Sequence, residues 1–316
     1  MNRKILLLLI LGFGIGLSLH ALSIITAPER VEPGGLLQVV FATQEDPGNL
    51  FCYLYSNQSE LIVSNEGFEI ENSEEIQTWV ILLGIPSTLQ QGMYTIVVET
   101  DESRAVSQAE ISVVSKEFYF EEIALNGTLS DLRSSDDPRK LQESLDMLSL
   151  LNTTKTNAHY HFGSLSLPVE EFRETSHYGD RRQYKYVDGG SGKGIHYGID
   201  LAAERGTPVH ASAGGRVVFA AERIITGLSI VVEHLPGVYT LYYHLNSLDV
   251  DWGSMVEPGA IIGSIGATGL ATGNHLHWEL RVAGVPIDPK PFLSEPLVDK
   301  SQIFSTINEK IREEGR

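Results

Sequence analysis

Apolar and polar positions alternate with a period of two through most of the chain. Between Ile24 and about Ser115 the runs LLQVVF, LFCYLY, TWVILL, MYTIVVE and AEISVV are rich in β-branched and aromatic residues. Turn material such as EPGG, EDPGN and SNEG separates them. This spacing predicts a small antiparallel β-sandwich of immunoglobulin type over residues 23–116, without the cysteine–tryptophan–cysteine mark of antibody domains. No polar cluster there has catalytic spacing, so a spacer role or a protein partner is expected of it. The period changes at SSDDPRKLQESLDMLSLLN. Asp137 is a fitting N-cap, Pro138 suits the first helical position, and Leu141, Leu145 and Leu148 recur at helical spacing. A helical connector over 117–161 follows, packing through those leucines. From Phe162 to Leu293 glycine is frequent and the short runs GGRVVFAA, LSIVVEHL, VYTLYYHL and HLHWELRV predict a second all-β domain of tight turns. Residues 294–316 are polar, partly helical and read as a peripheral tail.

The N-terminus adds a different signal. Arg3 and Lys4 precede an apolar run from Ile5 to Leu19, and Ala21 follows. The run is short for a spanning helix of roughly 20 residues. Residues 1–22 are read as a signal peptide or an uncleaved inner-membrane anchor, which places the protein in the periplasm or cell envelope. No cysteine follows the run, which excludes a lipid anchor there. The sole cysteine, Cys52, cannot form an internal disulfide and reads as a small core residue on a strand. The net charge is −18, yet Phe162–Leu293 holds 14 acids and 10 bases. Most of the acidity therefore lies outside the second β domain. A chain this acidic excludes nucleic acid as a partner, because phosphate contacts need a basic footprint.

Seven of the ten histidines fall within that second domain. HYGID places His196 and Asp200 four apart. Gly194 and Gly198 disfavour a helix, and in an extended segment the two side chains share a face with open space at Gly198. GNHLHWEL alternates His275, His277 and Glu279 with Leu276, Trp278 and Leu280, which aims both imidazoles at one side of a strand. YTLYYHL places His244 on a strand, on one face with Thr240 and Tyr242. A His/His/carboxylate set with an open position is the pattern of a catalytic zinc, whereas structural zinc sites are closed and rich in cysteine. Spare histidines would handle protons beside such an ion. Glu279 is either a partner orienting a histidine or a plain groove carboxylate. HYH, His159–His161, lies before the domain without a paired carboxylate and reads as incidental, with an inhibitory ligand folded over the groove as the alternative. DGGSGKG reads as a mobile groove edge.

The segments HYGIDLAAERGTPVHASAGGRV, YTLYYHL, MVEPGAIIGSIGATGLATGNHLHWEL and PIDP resemble the lysostaphin/LytM-type zinc metallopeptidases, peptidase family M23. HYGDRRQY resembles that family's FG-x-R entry, with Tyr178 for the usual Phe. The resemblance covers about Leu167–Leu293. It implies a compact antiparallel β domain with a groove over one Zn2+ per chain, held by His196, Asp200 and His277. His275 and His244 would be catalytic, acting on the activated water and the tetrahedral intermediate. The implied activity is hydrolysis of peptide cross-links or stem peptides in bacterial peptidoglycan. Some members carry a tyrosine where this chain has Gly190, so the oxyanion partner is unassigned. Three rivals stand beside this reading. One is a non-catalytic M23-like scaffold that activates other wall hydrolases. A mononuclear iron site is disfavoured by the missing HxD spacing. A biotinyl carrier, suggested by VEPGAIIGSIG, is excluded by the absence of a lysine.

Overall fold

The computed structural model describes residues 5–8, 23–44, 46–72, 76–101 and 105–314. The expected export segment lies largely outside them; only Ile5–Leu8 is described, paired antiparallel with Ser23–Pro28. No helix among the described residues is long and apolar enough to cross a membrane. The protein is mostly β and divides into two compact units. One comprises Met1–Lys116, Thr154–Asn157 and Val298–Arg316; the other comprises Glu117–Thr153 and Ala158–Leu297.

Among the described residues the first unit holds two five-stranded sheets. Leu50, Cys52 and Leu54 alternate inward on Leu50–Tyr55, and Tyr94, Ile96 and Val98 do the same on the neighbouring Gly92–Thr100. Burial pushes the Cys52 thiol far above its ordinary range, which leaves it an inert core residue. Helix Lys300–Glu314 joins this unit, with the Lys300 ammonium on the Ile70 carbonyl.

The second unit is built on a ten-stranded sheet and a three-stranded one. Strand Leu276–Val282 lies between Ile199–Ala202 and Val238–Leu248, and register sets one row across all three. Asp200 opposes His277, and His277 opposes Tyr243. Directly opposed residues share a face, so pairing alone brings a carboxylate beside an imidazole. Leu276, Trp278 and Leu280 turn to the other face and are fully buried. Helix Pro138–Leu151 packs on the row's face through Met147 and Leu151, against Val218, Val231, Tyr239, Leu241 and Tyr243. Its start is as expected: the Asp137 side chain caps the Arg139 amide and Pro138 opens the helix. Its packing face is not. Leu141, Leu145 and Leu148 are 66, 50 and 48% exposed. Leu150 and Leu151 with Met147 form a second apolar stripe, and the bulky sheet residues opposite select it.

Buried polar groups pin the far end of the sheet, at the Leu235–Val238 turn. His234 Nδ1 donates to the Gly214 carbonyl at 2.8 Å, and its Nε2 lies 2.7 Å from Thr240 Oγ1. Burial depresses this imidazole from 6.5 to about 4. A depressed histidine stabilises the fold fully above pH 6.5 and loses that contribution as pH falls towards 4, where only the unfolded chain binds the proton. The difference amounts to on the order of 3 kcal/mol. Urea unfolding at pH 7 and pH 4.5 is expected to show this loss in the wild type and a flatter profile in His234→Gln. Parallel profiles would refute the assignment.

Candidate metal centre and its cleft

His196 leaves the end of strand Ser191–Ile195, which pairs with Arg181–Lys185. DGGSGKG forms the turn and second strand of a hairpin, with a tight turn through Gly189 at φ +87°. Gly192 and Gly194 leave room for the Tyr186 and Tyr184 rings that lie over the strand. The turn His177–Asp180 clamps His196: its amide donates to the Asp180 carbonyl, and Gly179 donates to the His196 carbonyl. Gly198 then bends the chain into Ile199–Ala202. The space saved at Gly198 lies against the neighbouring strand, since a Cβ there would sit 2.3 Å from the Trp278 carbonyl oxygen. Gly198→Ala is expected to push these strands apart, cost about 3 kcal/mol and weaken metal retention. Urea unfolding together with metal analysis checks this, and wild-type stability would overturn it.

Three ligating atoms converge. His196 Nε2 is 2.9 Å from Asp200 Oδ1, His277 Nδ1 is 2.8 Å from the same oxygen, and the two nitrogens are 2.8 Å apart. The other nitrogen of each ring is committed. His196 Nδ1 lies 2.8 Å from the His177 carbonyl, and His277 Nε2 lies 2.9 Å from Glu279 Oε1. A neutral imidazole has a single N–H, and with it committed to the His177 carbonyl or to Glu279 each neutral ring turns its lone pair toward Asp200. Three lone pairs this close repel unless a cation or a proton lies among them. His196, Asp200 and His277 therefore fit a divalent metal, and a donor set without thiolate suits zinc. Without a metal a proton takes that place. Burial opposes it, but Asp200 and Glu279 raise His277 to about 9. Burial likewise opposes ionisation of Asp200, yet His196 and His277 hold its carboxyl well below the usual range. Burial lowers His196.

Each of these three residues has an outer partner. Glu279 is buried, accepts from His277, and accepts from Arg281 Nε at 2.6 Å. It is thus an orienting partner rather than a plain groove carboxylate. Arg182 Nη2 donates to Asp200 Oδ2 at 2.8 Å, and its Nε lies 3.3 Å from Glu121. Sequence reading singled out neither Arg182 nor Glu121. In the FG-x-R-like entry Arg181 turns away, over the Phe118 ring. The only cue was alternation along Arg181–Lys185, which puts Arg182 and Tyr184 on the face opposite Arg181.

Two more imidazoles face the same cleft. His275 Nδ1 donates to the Gly273 carbonyl at 2.9 Å, and its Nε2 is 3.7 Å from Asp200 Oδ1. His244 Nδ1 donates to the Thr268 carbonyl at 2.8 Å, and its ring lies 4.9 Å from that of His275. His244 does not share a face with Thr240 and Tyr242, as strand alternation predicts. Its backbone is left-handed, at φ +61°, with the amide bonded to the Thr226 carbonyl. That kink turns the ring over into the cleft. Burial, with His275 and His277 adding to it, depresses His244 to about 3. The cleft has a volume of about 460 Å3, and Arg173, Thr175, Ser176, Thr272 and Asn274 line it beside the histidines. His159–His161 does not reach it. The Tyr160 and His161 amides bond the His234 carbonyl, and His161 Nε2 meets the Ser164 carbonyl.

The family model described as Peptidase family M23 matches residues 194–289. The DD-carboxypeptidase/endopeptidase Mpg of Neisseria meningitidis is 44% identical over 95 residues, 30% of this chain and 22% of the relative. The peptidoglycan DD-endopeptidase ShyA of Vibrio cholerae is 41% identical over 93 residues, 29% of this chain and 22% of the relative. This chain thus spans about a fifth of the length of these two curated relatives. A putative peptidase M23 from Pseudomonas aeruginosa shares the fold, with a TM-score of 0.55 at 22% identity, over 83% of this chain and 94% of that one. The matched stretch contains His196, Asp200, His244, His275 and His277, so the match to Peptidase family M23 spans every histidine and the aspartate of the candidate centre.

Proposed function

We propose that this protein is a zinc-dependent endopeptidase that hydrolyses peptide cross-links or stem peptides of bacterial peptidoglycan. The observation that carries the reading is the convergence of three lone pairs beside two further imidazoles whose free nitrogens face the same cleft. His196 Nε2, Asp200 Oδ1 and His277 Nδ1 would hold one zinc per chain. Zinc in such a site supplies Lewis acidity and a water of lowered pKa. The chain's own residues do the rest. With Nδ1–H committed to Gly273, His275 offers its Nε2 lone pair from a partly exposed ring. His244 is buried and neutral, and it likewise offers only an acceptor at Nε2. Once either ring has taken a proton it becomes a donor, able to protonate the leaving amine or to stabilise an oxyanion. Glu279, Arg182 and the His177 carbonyl hold the three ligand residues in their orientations.

The names of Mpg and ShyA agree with a wall peptide as substrate. Export to the periplasm or envelope would bring the protein to that substrate, and the first β unit would serve as spacer or protein-binding module. Digestion of purified peptidoglycan by the zinc-loaded protein, followed by mass spectrometry of the released muropeptides, tests the reading. Cleaved stem or cross-bridge peptides are expected. No release by zinc-loaded wild type would leave the non-catalytic scaffold as the better account.

A further inference from the structure

Asp200 has two oxygens with different neighbours. Oδ1 faces the nitrogens of His196 and His277, at 2.9 and 2.8 Å. Oδ2 accepts from Arg182 Nη2 at 2.8 Å. A carboxylate can give a metal one oxygen or two, and that choice decides how many positions remain for water and substrate. A guanidinium on Oδ2 uses that oxygen's acceptor capacity and repels a cation from that side. Arg182 is itself held from a distant part of the chain. Strand Phe120–Ala124 pairs in parallel with Arg181–Lys185, and Glu121 sits opposite Arg182. The Glu121 carboxylate lies 3.3 Å from Arg182 Nε and accepts from Ser176 Oγ at 2.9 Å. Arg182 is not needed to anchor its strand, which has backbone partners on both sides. Its head group is 12% exposed and bridges two carboxylates, an arrangement whose desolvation is costly.

We propose that Arg182 is a positioning residue that restricts Asp200 to one ligand oxygen, and that Glu121 keeps Arg182 in that place. The inference rests on the zinc-site reading above. It assigns the outer chain Glu121–Arg182–Asp200 the task of keeping coordination positions open. Without Arg182, Oδ2 is free to join Oδ1 on the ion, the site gains a ligand, and room for water and substrate shrinks.

Cobalt(II) reports ligand number directly, because a four-ligand ion absorbs visible light more strongly than a five-ligand one. The full chain, freed of metal and loaded with Co2+ alone, is to be compared as wild type, Arg182→Gln and Glu121→Gln. Arg182→Gln is expected to bind one cobalt with the weaker absorption of a five-ligand ion. Glu121→Gln is expected to fall between it and the wild type. An unchanged cobalt band in Arg182→Gln overturns the proposal. Should that variant not hold cobalt, an unchanged band in Glu121→Gln overturns it. Failure of the underlying reading looks different: the wild type itself would then bind no cobalt or release no muropeptides.

Discussion

His277→Ala is expected to leave the purified protein without zinc and to reduce muropeptide release to background. Its Nδ1 lies within 2.8 Å of both Asp200 Oδ1 and His196 Nε2, so its removal leaves a two-donor site. The loss should exceed the roughly 10- to 100-fold drop in affinity that removing an outer partner causes. The change also strands Glu279, a buried carboxylate, with Arg281 as its remaining partner. Metal analysis after dialysis, read against wild type, gives the answer. A variant that keeps one zinc per chain would remove His277 from the ligand set.

His275→Ala and His244→Ala are expected to keep the zinc and lose the reaction. The distances separate these residues from the ligands. His275 Nε2 is 3.7 Å from Asp200 Oδ1, whereas the converging atoms lie 2.8–2.9 Å apart. His244 meets the centre only through ring contacts with His275 and His277. Each variant should lower kcat by about 10²–10⁴, the range for a positioned acid or base. The double variant should be little worse than the poorer single one, because groups that hand on one proton act as a unit. Steady-state kinetics on a cross-linked muropeptide, with zinc content measured on the same samples, tests both. If His275→Ala loses zinc as fully as His277→Ala, the division of labour between the two histidines is wrong.

Much of this arrangement can be read from local pattern. Period-two alternation gives the β class, and in HLHWEL it separates the imidazoles from Leu276, Trp278 and Leu280. What alternation cannot supply is contact between distant strands and backbone outside the β region. His244 breaks alternation through a left-handed φ that no non-glycine sequence announces. Glu121 and Arg182 meet because a strand from the expected connector pairs in parallel beside the site. Nothing in either segment alone encodes that pairing. The helix Pro138–Leu151 carries two apolar stripes, and the sheet chooses Met147 and Leu151 over Leu141 and Leu145. Gly198 could be picked out by its position between His196 and Asp200. Its reason is the Trp278 carbonyl across the strand pair, which only register reveals.

The strand Phe120–Ala124 also bears on what can be transplanted. Residues 194–289 carry every histidine and carboxylate proposed to touch the ion or the water. A chimera that moves only this stretch into a foreign chain leaves behind Arg182 and Glu121. It would also leave the His177 carbonyl that orients His196. Such a graft would inherit the donor atoms and lose much of their aim. The stretch that the family model matches is shorter than the stretch proposed to do the chemistry, and a swap meant to preserve activity should begin upstream of Phe120.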